Sequence, residues 1–247
     1  KFRNVLITDG KSAASQALTR AMLEAGADII WLGVAEPWKQ APGVDALAEL
    51  SQVSIVPLDV TDAKSVEELA GTIGGKVDIL INTAELHRTK GIADQGTETA
   101  RAEMDVNYLG LLRLAQAFGP AMRARAAEGA VPATAWVNLL SIHALAAWPS
   151  HGTFSASKAA AFALSQNLRA EMRHAGIRVI NVFPGPIDDE WNQLVPPPRL
   201  APAALAKAVI TALRNGIEDV YPGDVAQDIH ARWRESAKAL ERELWDQ

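Results

Sequence analysis

Short apolar segments with the length of β-strands alternate along this chain with longer segments whose apolar residues recur every three or four positions. In the first pair, residues 4–8 form the apolar segment, and Ala14, Leu18 and Met22 then fall on one helical face. Strands that are apolar on both faces and alternate with helices are typical of a parallel sheet, because right-handed crossovers cover both of its sides with helices. The alternation therefore predicts a doubly wound α/β fold.

The same pattern gives the predicted elements in chain order. Strands are predicted at 4–8, 28–32, 53–58, 77–82, 135–140, 177–183 and 219–221, a sheet of about seven strands. After the first helix, further helices are predicted near 44–50 and at 63–72, 98–125, 152–174 and 202–215. No linker-like segment divides the chain, so residues 1–247 are predicted to form a single domain with helices on both faces of the sheet.

Two segments in the last quarter of the chain differ in composition from the rest. Prolines cluster between residues 184 and 202, so residues 186–204 are predicted to form a loop outside the carboxyl edge of the sheet. That loop could be a substrate lid, a loop that contacts a partner, or a plain connector. Residues 223–247 are predicted to form a charged C-terminal helix that packs through residues such as Ile229 and Trp233.

Composition excludes several classes of function. The 247 residues carry a net charge of −5, which gives no large positive surface for nucleic acid or anionic membranes. No apolar stretch approaches the roughly 20 residues of a membrane-spanning helix. The chain has no cysteine, so it has no disulfide and no thiolate site, and we expect a cytoplasmic protein. It begins at Lys1 without Met or an apolar leader, from which we expect a trimmed N-terminus.

Seven short motifs then identify a family. They are TDGKSAAS (8–15), DVTD (59–62), NTAE (82–85), NYLG (107–110), Ser141, FSASK (154–158) and FPGP (183–186). In order and spacing they resemble the landmarks of the short-chain dehydrogenases/reductases over essentially the whole chain. The resemblance implies a Rossmann-like domain that binds NAD(P) and transfers hydride to or from a carbonyl carbon with an Asn, Ser, Tyr and Lys set.

The first departure from the family lies in the turn after the first strand. Family members have three glycines there, which shape the turn, admit the pyrophosphate and let the helix pack on the strand. Their positions are held by Asp9, Ala13 and Ser15, and Gly10 is the only glycine of this turn. A carboxylate about 5 Å from a phosphate charge costs roughly 3 kcal/mol at an effective dielectric constant near 20, unless Asp9 points to solvent or caps the helix. We therefore predict that NAD(P) binds weakly or not at all.

The second departure concerns the adenosine half of the cofactor. The second strand ends in Gly33-Val34-Ala35, which offers neither the acid of NAD-dependent relatives nor the basic residues of NADP-dependent ones. Asp59 is kept at the position that touches the adenine amine in relatives, although it could equally cap the helix at Ala63. Asn82 is also kept, but Glu85 replaces a glycine of the same motif and adds negative charge.

The third departure removes the proton donor. In the family, a tyrosine four residues before the lysine exchanges a proton with the substrate oxygen, and Phe154 stands there, four residues before Lys158. A phenyl ring has no ionisable proton, and a positioned acid is worth roughly 100-fold to 10,000-fold in rate. Asn107 and Ser141 remain in register, either as members of a remnant site or as inherited scaffold.

Other residues could take over part of the chemistry. His143 and His151 lie near Ser141 and Phe154 in sequence and could act as surrogate acids, or they could make only local hydrogen bonds. Lys158 without its tyrosine must find water, a carbonyl or an anion, and a solvated relic is the simpler expectation. His87 is expected to stand apart from these groups, and no spacing of ligands predicts a metal site.

The helices at 98–125 and 152–174 carry the predicted subunit contacts. In relatives these helices pair between subunits, and Ala159, Ala160, Ala161 and Ala163 cover more than one helical face. We therefore expect a homo-oligomer or a hetero-oligomer with another subunit of the family.

Three functions remain open from sequence. The first is a non-catalytic subunit of a hetero-oligomeric oxidoreductase of this family. The second is an NAD(P)-dependent oxidoreductase that acts on a carbonyl or alcohol with a non-tyrosine proton donor. The third is a non-redox module that binds a small molecule through Lys158 and Ser141.

Overall fold

A parallel sheet of seven strands organises the computed structural model, which describes residues 3–129 and 134–246. The strands are β1 (Asn4–Ile7), β2 (Ile29–Val34), β3 (Val53–Pro57), β4 (Ile79–Asn82), β5 (Ala135–Leu139), β6 (Arg178–Val182) and β7 (Asp219–Val220). Their spatial order is β3-β2-β1-β4-β5-β6-β7, and every pair is parallel. The predicted Rossmann-like doubly wound fold is confirmed.

Helices cover both faces of this sheet. They are α1 (Ala13–Glu24), α2 (Pro42–Ala48), α3 (Ala63–Ile73), α4 (Thr97–Met104), α5 (Gly110–Ala127), α6 (Gly152–Arg173), α7 (Pro202–Asn215) and α8 (Asp224–Glu243). Buried residues of α1, α2 and α7 form one apolar cluster with the sheet, and those of α3, α5, α6 and α8 form the other. The sheet is therefore apolar on both sides, as its near-continuous apolar strands require.

The predicted helix at 98–125 is not regular over its whole length. A π-helical turn, Asp105–Leu109, separates α4 from α5. Inside it, Asn107 directs its side chain to the backbone of Leu86, with Oδ1 accepting from N–H and Nδ2 donating to C=O, both at 2.9 Å. A polar side chain that bonds a neighbouring segment is a common cause of such a bulge.

The proline-rich segment and the C-terminal helix lie near the carboxyl edge of the sheet. In the proline-rich segment, Ile187 forms a bridge with Leu200, and Asp189 accepts hydrogen bonds from the Trp191 and Asn192 amides at 3.0 and 3.1 Å. The C-terminal helix α8 has non-helical backbone angles at Ser236, so it is bent rather than straight. Residues 1–2, 130–133 and 247 of the predicted single domain, the last also in the predicted C-terminal helix, lie outside the described residues.

None of the helices in the described ranges is both long enough and apolar enough to cross a membrane.

Candidate active site

In the turn after β1, side-chain oxygens accept hydrogen bonds from nearby backbone amides, in the region where the family has glycines. The Asp9 carboxylate accepts the Lys11 backbone N–H at 3.1 Å. One step further, the Ser12 hydroxyl caps α1 by accepting the Ser15 N–H at 3.1 Å. These are amides of the kind that a helix N-terminus offers to a bound phosphate. Asp9 therefore neither points freely to solvent nor caps the helix, since its partner lies in its own turn.

The other substitutions in this turn are accommodated by packing. Ser15 is fully buried, and its hydroxyl hydrogen-bonds Thr83 at 2.7 Å between the two oxygens, which joins α1 to the end of β4. Ala13 is the first residue of α1. Gly10 is required as glycine, because a Cβ there would lie 2.7 Å from Leu32 Cγ. The turn is thus well packed although it has lost most of its glycines.

Burial also affects the acid of this turn. The loss of hydration on burial raises the pKa of Asp9 above its ordinary value, and the hydrogen bond from the Lys11 amide partly offsets this rise.

The adenosine side has no charged residue at the strand tip. Gly33 and Val34 end β2, and Ala35 follows. Glu36 and Lys39 beyond them form an exposed ion pair at 2.7 Å, as expected for solvated loop charges. Asp59 accepts hydrogen bonds from the backbone N–H and hydroxyl of Thr61 at 2.9 and 2.7 Å. The alternative that Asp59 caps the helix at Ala63 is wrong, because Asp62 is the N-cap of α3.

At the end of β4, Asn82 and Glu85 have different roles. Asn82 accepts the Thr8 hydroxyl at 2.9 Å and so ties β4 to β1. Glu85, two residues beyond Thr83, forms an ion pair with Lys158 at 2.7 Å between Oε2 and Nζ. Lys158 is 2% exposed and also donates to the Leu139 carbonyl at 3.2 Å. The expectation that Lys158 is a solvated relic is therefore wrong: it is buried and paired within the chain.

Asn107 and Phe154 sit beside this pair. The Asn107 amide donates to Ser157 Oγ at 2.8 Å, so it links the π-helical turn, α6 and the segment after β4. Phe154 is 2% exposed, with its ring centre 5.6 Å from Lys158 Nζ. The family's motif positions therefore come together in space as the resemblance implies, although the tyrosine position is a buried phenyl ring.

Three histidines surround Phe154, and we call them with it the Phe154 cluster. His87 stacks on Phe154 at a centroid distance of 4.2 Å and an angle of 12°. His143 and His151 lie 5.4 and 6.3 Å from the same ring. The expectation that His87 stands apart is wrong. The signal that could have found it is topological, because the segments after β4 and β5 leave the sheet at the same carboxyl edge.

Ser141 and His143 form a pair within this site. Ser141 Oγ lies 2.9 Å from His143 Nδ1 and accepts the His143 backbone N–H at 3.2 Å. His151 Nδ1 lies 2.9 Å from Ser150 Oγ. Both histidines thus make the local hydrogen bonds that the simpler interpretation predicted. Among the described residues, no group of three or more His, Asp or Glu side chains is arranged to hold a metal ion.

Burial keeps the three imidazoles neutral. It lowers the pKa of His143 well below its ordinary value, and the neighbouring His151 and His87 lower it further. Burial likewise lowers the pKa of His87, and it lowers the pKa of His151 to about 4. A neutral imidazole donates a hydrogen bond from one nitrogen and accepts one at the other, and it lacks the second N–H proton that an imidazolium can give up. The cluster is therefore a poor source of protons at neutral pH.

These shifts predict acid sensitivity. An unfolded histidine protonates near pH 6.5, whereas His151 in the folded protein does so at about pH 4. Between these two pH values the unfolded chain binds more protons than the folded one. The contribution of His151 to the free energy of unfolding is therefore fully present above about pH 6.5 and is lost as the pH falls towards about 4. We expect the melting temperature to fall through this window, and to fall less steeply in His151→Asn. His174→Asn, at the exposed end of α6, should follow the wild type, and equal slopes in all three proteins would contradict the assignment.

Comparison with known proteins identifies the family. The family model for short chain dehydrogenases matches residues 3–198. The chain belongs to this family. A crystal structure of a short chain dehydrogenase from Burkholderia cenocepacia J2315 in complex with NADP superposes with a TM-score of 0.88 at 35% identity, covering 99% of this chain and 98% of the other.

Two further proteins are similar to this chain over most of its length. An uncharacterized oxidoreductase of Staphylococcus aureus (strain USA300) is 30% identical over 217 residues, which cover 84% of this chain and 89% of the relative. A short-chain dehydrogenase from Streptomyces avermitilis shares the fold with a TM-score of 0.84 at 24% identity, covering 98% of this chain and 96% of the other. The chain thus has the scaffold of a short-chain dehydrogenase oxidoreductase with an NAD(P)-binding fold.

Proposed function

We propose that this short-chain dehydrogenase is a non-catalytic member of its family that binds NAD(P) weakly or not at all and works as a subunit beside an active relative. The observation that carries the proposal is the ion pair between Glu85 and Lys158, with 2.7 Å between oxygen and nitrogen. In the family this lysine holds the nicotinamide ribose and lowers the pKa of the tyrosine. In this chain its charge is already balanced by a carboxylate of the same chain.

The phosphate turn supports the same conclusion. The Asp9 carboxylate accepts the Lys11 amide at 3.1 Å, and the Ser12 hydroxyl accepts the Ser15 amide at 3.1 Å. A pyrophosphate would have to displace at least one of these partners and lie near the Asp9 charge. The residues present do not fit a dinucleotide at either its phosphates or its nicotinamide ribose.

The proton donor is missing as well. Phe154 is buried against His87 and has no ionisable group. The neighbouring histidines are neutral because of burial, so none of them holds a proton to deliver at neutral pH. A site without a cofactor anchor and without a proton donor lacks both parts of the family's reaction.

Cofactor titration tests this proposal. We expect no saturable binding of NAD+, NADH, NADP+ or NADPH below about 1 mM, the concentration at which binding free energy falls to roughly 4 kcal/mol. The measurement is isothermal titration calorimetry, with an active short-chain dehydrogenase in the same buffer as the positive control. A dissociation constant in the micromolar range for any of the four would overturn the proposal.

The role as a subunit rests on the surfaces of α4, α5 and α6. Ala156, Ala159 and Ala163 of α6 are exposed, and Leu109, the last residue of the π-helical turn before α5, is 36% exposed. In the family these helices pair between subunits, and small exposed side chains let two helices approach closely. The unpartnered apolar surface on these helices is what a second subunit would bury.

Coexpression with an active family member tests the proposed role as a subunit. We expect the chain and an active family member encoded beside it to elute together as a mixed oligomer in size-exclusion chromatography with light scattering. The substitution Ala159→Arg should abolish the mixed species, whereas Ala170→Arg, on an exposed position nearer the end of α6, should weaken it less. A chain that stays monomeric or self-associated with every such partner would contradict the role as a subunit.

A second function is favoured by two observations. Ser141 and His143 form a hydrogen-bonded pair 2.9 Å apart in the place where the family polarises its substrate, and the Burkholderia cenocepacia relative was solved in complex with NADP. These support an NADP-dependent oxidoreductase that uses His143 or His151 as its proton donor. The same titration separates the two functions, because this one requires NADPH to bind.

A further inference from the structure

A cavity of about 290 Å³ lies at the amino edge of the sheet, the edge opposite to the Phe154 cluster, and we call it the amino-edge cavity. Ile79 and Ala135, the first residues of β4 and β5, line its floor, and the ends of α1 and α7 line its walls. Small-molecule sites typically measure about 300–1,000 Å³. The amino-edge cavity is at the small end of this range, which suits a compact ligand and is too small for a dinucleotide.

Two strands place an arginine on the face of the sheet that is otherwise apolar. Alternate residues of a strand point to the same face, so Arg3, directly before β1, shares a face with Val5, and Arg178, the first residue of β6, shares one with Ile180. Val5 and Ile180 belong to the apolar cluster that α1 and α7 cover. Arg3 and Arg178 are accordingly half-buried, and both line the amino-edge cavity.

A third arginine comes from α7. Arg214 lies in the last turn of this helix, is exposed and lines the same cavity. Arg178 donates to the Leu213 carbonyl at 3.0 Å, so the end of α7 holds its guanidinium in place. Gly216, which ends α7 with a φ of 69°, leaves room for this arrangement, because a Cβ there would lie 3.2 Å from Arg178 Nη1. Three guanidinium groups thus surround one small cavity.

Few carboxylates balance these arginines. No Asp or Glu is found among the described residues that line the cavity, and within the described part of the chain neither Arg178 nor Arg214 has an ion-pair partner. Asp78, next to the floor residue Ile79, is already paired with Arg125 at 2.6 Å. Glu24, at the end of α1, is exposed and lines the neighbouring groove between α1 and α7.

The ends of two helices offset only part of this positive charge. The C-termini of α1 and α7 both reach the cavity, and each carries about half a negative charge. Basic residues are common near helix C-termini for this reason, and one arginine would be enough to balance both ends. Since three arginines line the cavity, a charge of about +2 remains.

The rest of the lining is apolar. It consists of Met22, Ala25, Ile79, Ala135, Ile210 and Leu213. An inorganic anion would leave this apolar surface in contact with water, whereas an anion with an organic body would bury it. The cavity therefore suits a ligand that has both an anionic group and an apolar part.

We propose that the amino-edge cavity binds a phosphate monoester with a compact apolar body, and that Arg178 and Arg214 donate to the phosphate oxygens while Arg3 adds its charge. A phosphate monoester carries about −1.5 to −2 charges at pH 7, which matches the charge of the cavity. The planar guanidinium group also fits two phosphate oxygens at once. The inference does not depend on the proposed function, because the family binds its cofactor and substrate at the opposite edge of the sheet.

Three probes test the inference on the wild-type chain, by isothermal titration calorimetry at pH 7 in a buffer without phosphate. Phenyl phosphate has both the charge and the apolar body, phenyl sulfate has the same shape with less negative charge, and inorganic phosphate lacks the body. We expect phenyl phosphate to bind about tenfold more tightly than either of the others. Equal binding of phenyl sulfate or of inorganic phosphate would overturn the inference.

Two variants locate the binding site. Arg214→Gln should weaken the binding of phenyl phosphate about tenfold or more, because it removes a charged donor to the phosphate. Arg173→Gln is the matched control, since Arg173 is also exposed in the last turn of its helix, α6, which covers the other face of the sheet. It should bind phenyl phosphate as the wild type does. Unchanged binding in Arg214→Gln, or an equal loss in Arg173→Gln, would overturn the assignment of the site.

The same variants separate this inference from the proposed function. NADPH binding that Arg214→Gln leaves unchanged would overturn the proposed function and would not affect the inference about the amino-edge cavity. Phenyl phosphate binding that Arg214→Gln leaves unchanged would overturn only the inference.

Discussion

Replacing Asp9 and Glu85 together by glycine is expected to raise the affinity for NADPH by about a hundredfold or more. Asp9→Gly removes the carboxylate that holds the Lys11 amide at 3.1 Å, and Glu85→Gly removes the one that holds Lys158 at 2.7 Å. The two changes free the Lys11 amide and the Lys158 ammonium, which stand where family members bind the cofactor. Each change also removes a negative charge near the expected position of the phosphates or the ribose. A single charge about 5 Å from a phosphate accounts for roughly 3 kcal/mol at an effective dielectric constant of 20.

The double variant should also have a lower free energy of unfolding than the wild type. Lys158 is 2% exposed, so Glu85→Gly leaves a buried ammonium with only the Leu139 carbonyl at 3.2 Å. Breaking a buried ion pair from one side costs about 3 kcal/mol or more. We therefore expect the double variant to unfold at lower urea concentration than the wild type, and NADPH to restore part of the loss by binding the folded state.

A matched variant controls for the change in net charge. Glu24→Gly with Asp28→Gly removes two exposed acidic side chains next to the start of β2, at the opposite edge of the sheet from the site. This control should bind NADPH no better than the wild type in calorimetry. If it gains as much affinity as Asp9→Gly with Glu85→Gly, the gain comes from the change in net charge. The conclusion that the Asp9 and Glu85 carboxylates block NADPH binding is then wrong.

The fold could be predicted from the sequence because its signal is repeated. Each apolar strand followed by an amphipathic helix adds one more unit to the same sheet, so an error in one unit leaves the topology intact. The positions of Asn107, Ser141, Phe154 and Lys158 were likewise predictable from motif spacing, since the family's scaffold is kept around them.

Contacts between distant segments were the part that could not be predicted. Glu85 and Lys158 are far apart in sequence, and their separate motifs do not reveal that the two side chains meet. The stacking of His87 on Phe154 depends on the path of the segment after β4, which Asn107 fixes through Leu86. Such pairings depend on the carboxyl edge of the sheet, where several chain segments converge, and not on any local pattern.

The substitution Phe154→Tyr is expected to have no effect by itself and a large one in the Asp9→Gly, Glu85→Gly background. In the wild-type chain a new phenol would lie near a Lys158 whose charge is already balanced by Glu85 at 2.7 Å. In the triple variant Lys158 is free to lower the pKa of the phenol, which can then exchange a proton with a substrate oxygen. A positioned acid or base is worth roughly 100-fold to 10,000-fold in rate.

The measurement is the oxidation of NADPH in the presence of 2-acetonaphthone, followed by absorbance, in the double and the triple variants. Phe162→Tyr in the double-variant background is the control, because it adds the same hydroxyl to a half-buried ring of α6 that packs on Phe183 and lies outside the Phe154 cluster. We expect a rise of at least 100-fold with Phe154→Tyr and none with Phe162→Tyr. If the wild-type chain already oxidises NADPH at the rate of the triple variant, the missing phenol is not what limits this protein, and a histidine of the Phe154 cluster must supply the proton instead.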